Sequence, residues 1–317
     1  MVIRRQGVGA VKQFLKALYS GGGYGRRVAR IMILLCGGAA AVIMAFEDSF
    51  IYFPTKFPEG AWEVGNFPAR DGEVVPGVED CTFTTGDGLK LHGWYCEPRR
   101  KVGGGFAPMR ADMVLLWFHG NAGNLSHRYD MIRMLMNIPV NIFIIDYRGY
   151  GKSEGAPSEQ GLYEDARAAW DYLTAERGVA PGRVIIFGKS LGGVPAIDLA
   201  SKVKAAGLIV QSSFTSASDV AAAILPVYPR FLLRTKMDSR RKISNVRCPK
   251  LFIHSRADEV IPYELGRRLY EAAPEPKQFY EVRRAPHNST HLVGGEEYLK
   301  ALRDFINSCA PAEVERE

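Results

Sequence analysis

The chain has 317 residues, 47% of them hydrophobic, enough to bury the core of one α/β domain of about 250 residues without requiring a second. Its net charge of +7 invites a nucleic-acid reading, but residues 1–30 hold seven cations (Arg4, Arg5, Lys12, Lys16, Arg26, Arg27 and Arg30) and no acid. Subtracting those seven from 41 Lys and Arg leaves 34 against 34 Asp and Glu, so the remainder is neutral and offers no basic face to nucleic acid.

Residues 1–27 read as a basic tail, in which "VKQFLKALY" at Val11 to Tyr19 fits either a basic amphipathic helix on the inner leaflet or a disordered segment. "VARIMILLCGGAAAVIMAF" follows at Val28 to Phe46, with Arg30 as its single charge. At 1.5 Å per residue this run nearly matches the roughly 30 Å of a bilayer core once Arg30 snorkels. A transmembrane anchor over 28–46 is the expectation. The competitor is a cleaved signal peptide with Ala39-Ala40-Ala41 as its site, but the region before the apolar run is long for a signal. The cations before the span, against Glu47 and Asp48 after it, predict a cytoplasmic N-terminus and a main domain on the extracytoplasmic side, periplasmic or lumenal. Cys36 lies in the span. Of the other four cysteines, Cys81 and Cys96 flank an apparent hairpin and either pair or remain free thiols.

"CTFTTGDGLKLHGWYCE" alternates apolar and polar residues around Gly86-Asp87-Gly88, the pattern of an antiparallel hairpin. Beyond Gly103 to Gly105 the apolar runs no longer alternate: "MVLLWF" (113–118), "NIFIID" (141–146), "RVIIFG" (183–188), "GLIVQS" (207–212), "KLFIHS" (250–255) and "QFYEVR" (278–283). Helical patterns separate them, the clearest being "SEQGLYEDARAAWDYL" with Ser158 placed to cap. Apolar strands alternating with helices predict an α/β fold: a mostly parallel sheet with helices on both faces and an antiparallel hairpin at its N-terminal end. Ligands of such sheets sit beyond the carboxyl ends of the strands.

Two pentapeptides, "GKSEG" at 151–155 and "GKSLG" at 188–192, fit G-x-S-x-G, and both contain the tail of a phosphate-binding loop. A phosphate loop needs glycine six residues before its lysine, where Asp146 and Arg183 stand, so nucleotide binding is set aside. Ser153 follows a strand that has already ended and is trailed by Pro157, which puts it in a loop. Ser190 instead stands where "RVIIF" runs directly into "GKSLG" and a helix, as a nucleophile elbow requires. Pro195 predicts that this helix starts late or bends.

A serine hydroxyl needs a base, and the base needs an orienting acid, in the chain order Ser, Asp or Glu, His. Asp258 follows "KLFIHS", with Val260-Ile261-Pro262 expected to begin a helix and Glu259 as a substitute acid. His287 follows "QFYEVR" and is preferred over His291, which belongs to the following turn. A metal pair at these histidines is not signalled, because H-N-S-T-H lacks the glutamate of H-E-x-x-H. The oxyanion needs donors too. The main-chain N–H groups of Leu191 and of Asn121 in "HGNAGN" are the candidates, with His119 supporting that loop.

In the order "HGNAGN", "DYRGYGKSEG", "GKSLGG", "SRADEVIP" and "APHNSTH", spread over residues 80–308, the chain resembles the α/β-hydrolase superfamily. The likeness is to its single-pass membrane-anchored branch, which includes protein depalmitoylases and is related to the prolyl-oligopeptidase-clan serine peptidases. The resemblance implies a catalytic domain over 47–317 with nucleophile, acid and base at Ser190, Asp258 and His287, and a structural "DYRGYGKSEG" loop. A small cap is expected at 213–247, carrying Pro226, Pro229, Phe231, Leu232 and Leu233. The expected activity is hydrolysis of an acyl ester or thioester, lipid-derived or on an acylated protein, through an acyl-enzyme and without a cofactor. A serine peptidase of the same fold is the alternative, and a non-catalytic binding module is the alternative of another class.

Overall fold

The computed structural model describes residues 23–45, 47–64, 69–224 and 233–311, without the side chains of residues 24, 29, 36 and 39–45. It divides into two compact units, residues 1–47 with 231–234, and residues 48–230 with 235–317. In the first unit, α1 (Gly23–Ala45) is a single helix on which Ile31, Met32, Ile33, Leu34 and Leu35 are exposed. Among the described residues no helix is long and apolar enough to cross a membrane. The expected span 28–46 lies partly outside the described side chains, and the tail before residue 23 lies outside altogether. A five-residue helix, α2 (Glu47–Ile51), follows.

The second unit is built on a nine-stranded sheet. The strands in chain order are β1 (Phe53–Pro54), β2 (Val74–Thr84), β3 (Lys90–Val102), β4 (Gly105–Pro108), β5 (Met113–Phe118), β6 (Ala122–Gly123), β7 (Val140–Ile145), β8 (Val184–Lys189), β9 (Gly207–Gln211), β10 (Lys250–Ser255) and β11 (Lys277–Val282). Across the sheet the order is β11-β10-β9-β8-β5-β7-β3-β2, with β4 paired to β3, while β1 and β6 form a separate two-stranded ribbon. From β7 to β11 all pairings are parallel, and β3 joins β7 and β2 antiparallel. Every predicted run is a strand of this sheet.

Strand β5 shows why the parallel strands lack alternation. Val114, Leu116 and Phe118 belong to one core, and Met113, Leu115 and Trp117 to the other. Both faces are dry, so each position gains the roughly 1.5–3 kcal/mol of a fully buried large side chain. On the first face pack α4 (Glu159–Asp171), α5 (Gly193–Ala200) and α8 (Tyr263–Ala272); on the second pack α3 (Tyr129–Leu135) and α9 (Thr290–Cys309). Ser158 caps α4 as its sequence predicts, its Oγ accepting from the Gly161 N–H at 3.1 Å.

The antiparallel register settles the cysteine alternative. Cys81 lies opposite Gly93 and Cys96 opposite Val78, and the two side chains belong to different cores, so they point to opposite faces of the hairpin. Both are free and buried, and burial raises both thiols above their ordinary range.

Of the expected cap at 213–247, residues 225–232, with Pro226, Pro229, Phe231 and Leu232, lie outside the described residues. It opens on the buried Ser213, Phe214 and Thr215, with Phe214 in the first core, and continues as α6 (Ala217–Ile224), which buries nothing fully. From Met237 the chain returns to the body through α7 (Ser239–Ile243), where Met237, Ile243 and Val246 join the first core. Core packing thus claims the C-terminal third of the expected insertion.

Candidate active site

Ser190 stands where β8 ends and a one-turn 3-10 helix, Ser190–Gly192, leads into α5. Its φ of 55° puts a non-glycine residue in the left-handed region, a strained conformation held by its surroundings. The flanking glycines are needed for close approach rather than for positive φ. A Cβ at Gly188 would sit 2.5 Å from the Gly192 carbonyl oxygen, and one at Gly192 would overlap the Phe118 carbonyl oxygen at the end of β5. The elbow is therefore clamped against the neighbouring strand. Pro195 is accommodated because the 3-10 turn takes up the bend, leaving the proline third in α5, where its missing N–H costs little.

Three strand ends bring the polar groups together. His287 Nε2 lies 3.0 Å from Ser190 Oγ. Its Nδ1 lies 2.9 and 2.8 Å from the two carboxylate oxygens of Asp258. A carboxylate there requires the proton on Nδ1, which leaves Nε2 as the acceptor for the serine hydroxyl. Asp258 Oδ1 also accepts from the N–H groups of Val260 and Ile261 at 3.0 and 2.7 Å, which puts Val260–Pro262 in a turn; α8 begins only at Tyr263. Burial acts to raise the Asp258 pKa, but donors from His254, His287 and Ile261 outweigh it and hold the carboxyl well below the usual range.

Three neighbours take roles that sequence reasoning did not assign. His254 Nε2 is 3.0 Å from the Ile261 carbonyl oxygen and 3.3 Å from Asp258 Oδ2, so it backs the acid; its one signal was a histidine inside the apolar run "KLFIHS". Glu259 accepts from the main-chain N–H of His287 at 3.0 Å and so braces the base loop instead of substituting for the acid. His291, buried in the first turn of α9, has its pKa lowered to about 4 by burial and by Lys189, and stays neutral at physiological pH.

The "HGNAGN" loop closes the other side. An added Cβ at Gly120 would lie 3.5 Å from the Ser190 Cβ, so this loop packs directly on the elbow. The Asn121 side chain accepts from Phe53 N at 3.3 Å and from the Tyr150 hydroxyl at 3.1 Å, and donates to the Ile51 carbonyl. It is wholly occupied in fixing the loop. His119 supports the same loop, its Nδ1 2.7 Å from the Gly120 carbonyl oxygen and its Nε2 3.4 Å from the buried Asp146. Arg128 donates to the Ala122 carbonyl. The N–H of Leu191 lies in the first turn after the elbow, where helix N–H groups have no intrahelical acceptor.

Lys189, last residue of β8 and next to Ser190, is 7% exposed. Burial pulls its ammonium from an ordinary 10.5 down to about 8, with Arg128 acting in the same direction and Asp258 against it. A value lower in the folded state than in the unfolded chain means that the charge destabilises the fold fully below pH 8. The cost is relieved as pH climbs from 8 towards 10.5. Lys189→Met is therefore expected to stabilise the protein at pH 7 by about 3 kcal/mol, and the gain should shrink as pH approaches 10.5. Thermal melts across that range decide it; a gain independent of pH would assign the effect to packing instead.

Comparison with known proteins adds the lineage. The family described as serine aminopeptidase, S33, matches residues 109–237. An uncharacterized protein of Mycobacterium tuberculosis is 36% identical over 284 residues, 89% of this chain and 95% of its own. The alpha/beta hydrolase domain-containing protein WAV2 of Arabidopsis thaliana is 32% identical over 291 residues, 86% of this chain and 91% of its own. Among solved structures, the Pyrococcus furiosus esterase Pf2001 superposes with a TM-score of 0.62 at 19% identity, covering 82% of this chain and 98% of that one. At that identity it supports the fold.

Proposed function

Since the chain belongs to the α/β-hydrolase family, we propose that it is a serine hydrolase that cleaves an ester or thioester, held at a membrane by its apolar run 28–46. The observation that carries the chemistry is the unbroken line from Ser190 Oγ through His287 to Asp258, at 3.0 and 2.8 Å. Ser190 Oγ attacks the substrate carbonyl carbon as its proton passes to His287 Nε2. The N–H groups of Leu191 and Asn121 receive the oxyanion. The bond to the alkoxide or thiolate then breaks, and the imidazolium returns the proton to that leaving group. Water, deprotonated by the same imidazole, attacks the acyl-serine and releases the acid. Asp258 remains ionised throughout and stabilises the imidazolium.

The match to serine aminopeptidases makes a peptidase the second reading.

Anchorage draws support from the apolar run Val28 to Phe46 in the sequence, which lies partly outside the described side chains, and from the seven cations in residues 1–30. That charge bias orients the catalytic unit to the extracytoplasmic side. One experiment on the full chain tests both parts. The protein should stay with membranes through alkaline carbonate and leave them in detergent, and the solubilised protein should take up one fluorophosphonate at Ser190. It should also hydrolyse p-nitrophenyl esters faster than aminoacyl p-nitroanilides. Release by carbonate removes the anchor, labelling that survives Ser190→Ala removes the nucleophile, and faster amide hydrolysis hands the site to the peptidase reading.

A further inference from the structure

Single exposed apolar side chains are ordinary on a protein surface, but their concentration at one end of a fold is not. In the catalytic unit Phe50, Phe53, Phe57, Val260, Leu292 and Val293 are each at least 40% exposed. All stand at the carboxyl end of the parallel strands, on both flanks of Ser190. On one flank is the "HGNAGN" loop, whose Gly120 packs on the Ser190 Cβ. Phe50 lies in α2, whose last residue, Ile51, accepts through its carbonyl from the Asn121 side chain; Phe53 donates its N–H to that same side chain at 3.3 Å. Phe57 donates its N–H to the Gly151 carbonyl at 3.0 Å, on the loop that leaves β7. On the other flank the N–H of Val260 is bonded to Asp258 Oδ1 at 3.0 Å. Leu292 and Val293 lie in the first turn of α9, whose opening Thr290 donates its hydroxyl to the His287 carbonyl at 3.3 Å. At the opposite end of the sheet the β3–β4 hairpin exposes Val102 and Phe106, since β3 runs antiparallel to β7 and past its amino end.

A cationic cavity accompanies the apolar rim. It has a volume of about 340 Å³ and is lined by Arg256, Glu281, Arg283 and Arg284, at the carboxyl ends of β10 and β11. Glu281 is already taken, by Arg256 Nε at 2.7 Å and by the Tyr263 hydroxyl at 2.6 Å. Arg283 and Arg284 make no ion pair within 4.0 Å among the described residues, so three arginines against one glutamate leave two positive charges in excess. The chain also ties this end of the sheet to the apolar run 28–46. Only the five residues of α2 separate that run from the bond at Asn121, about 7.5 Å as helix and no more than about 18 Å fully extended. A bilayer that holds the run is therefore within reach of the mouth of the site.

We propose that the carboxyl end of the sheet is a docking face for a phospholipid leaflet. The exposed apolar side chains enter the boundary between headgroups and acyl chains, and the arginine cavity receives the phosphate of an anionic lipid. Ser190 then takes its ester from the leaflet and not from solution. The source of the ester rests on the serine-hydrolase reading, and the short tether on the anchor reading.

Full-length protein in vesicles of phosphatidylcholine and phosphatidylglycerol, with a trace of phosphatidylcholine carrying a diazirine on its acyl chain, tests the face directly. After irradiation, peptides holding Phe50–Phe57, Val260 and Leu292–Val293 should carry about tenfold or more of the label found on the Val102–Phe106 hairpin. Leaving out phosphatidylglycerol should lower labelling of those rim peptides by about half or more. Label on 28–46 with the rim no higher than the hairpin overturns the docking face and leaves the anchor; label on the rim without label on 28–46 keeps the face and removes the anchor. No label on either removes both, and rim labelling indifferent to phosphatidylglycerol overturns the lipid-phosphate role of the cavity. The double variant Phe50→Ser with Leu292→Ser should keep the parent rate on p-nitrophenyl acetate in solution and lose about tenfold on p-nitrophenyl palmitate held in vesicles. An unchanged ratio of the two rates overturns supply from the leaflet. If the parent protein turns over neither ester, the hydrolase reading fails, and the labelling pattern still decides the face.

Discussion

Ser190→Ala and His287→Ala will each lower kcat for ester hydrolysis by about 10⁵- to 10⁶-fold, and the double variant will be scarcely slower than either single one. The hydroxyl and the imidazole act as a unit. At 3.0 Å from Nε2 the serine proton has an acceptor placed for transfer, and without it the oxygen is an alcohol far too weakly nucleophilic at neutral pH to attack a carbonyl. What survives is the contribution of the oxyanion donors and of substrate binding, worth about 10³- to 10⁴-fold over water. Steady-state rates normalised by active-site titration measure the effect. A loss of less than about 100-fold in either single variant would place the chemistry elsewhere.

Asp258→Asn comes next, with an expected loss in kcat of about 10⁴-fold in a protein that still folds but is less stable at neutral pH, where the ionised carboxylate with its depressed pKa contributes stability. The carboxylate serves two functions here. Its Oδ1 holds the turn by accepting from Val260 and Ile261, a role that an amide oxygen can keep, so the fold survives. Only one oxygen would remain, however, and the amide NH₂ would then face either His254 or the Nδ1 of His287. In the second case the proton moves to Nε2, and the base can no longer accept from Ser190. Activity and melting temperature should be measured together; a parallel collapse of both would make Asp258 a structural residue first.

The sheet was legible because burying both faces of a parallel strand writes an uninterrupted apolar run, as in Met113–Phe118 and Lys250–Ser255. The elbow was legible because close approach of Gly188 and Gly192 to neighbouring backbone leaves only glycine tolerable there. What stayed hidden depends on partners far away in the chain. Nothing local tells that His254 will meet Asp258 through the turn at Ile261, or that Glu259 will hold the main chain of His287. Lys189 was hidden differently. A lysine closing an apolar strand reads as a solvent-facing end, and nothing local announces that it is only 7% exposed. Met237, Ile243 and Val246 were hidden too, because they enter the core from a segment whose composition resembles that of a surface insertion.

The nucleophile and its base differ in how firmly they are moored. Ser190 issues from β8, flanked by β5 and β9, whereas His287 hangs from β11, which has a neighbour on one side only. A rim strand frays at lower free energy than an interior one. Loosening of that last strand would carry the imidazole away while the elbow and its surroundings stayed assembled. On warming, hydrolysis is therefore expected to fall before the global melt and to return on cooling, which activity and near-UV circular dichroism followed on the same ramp would check.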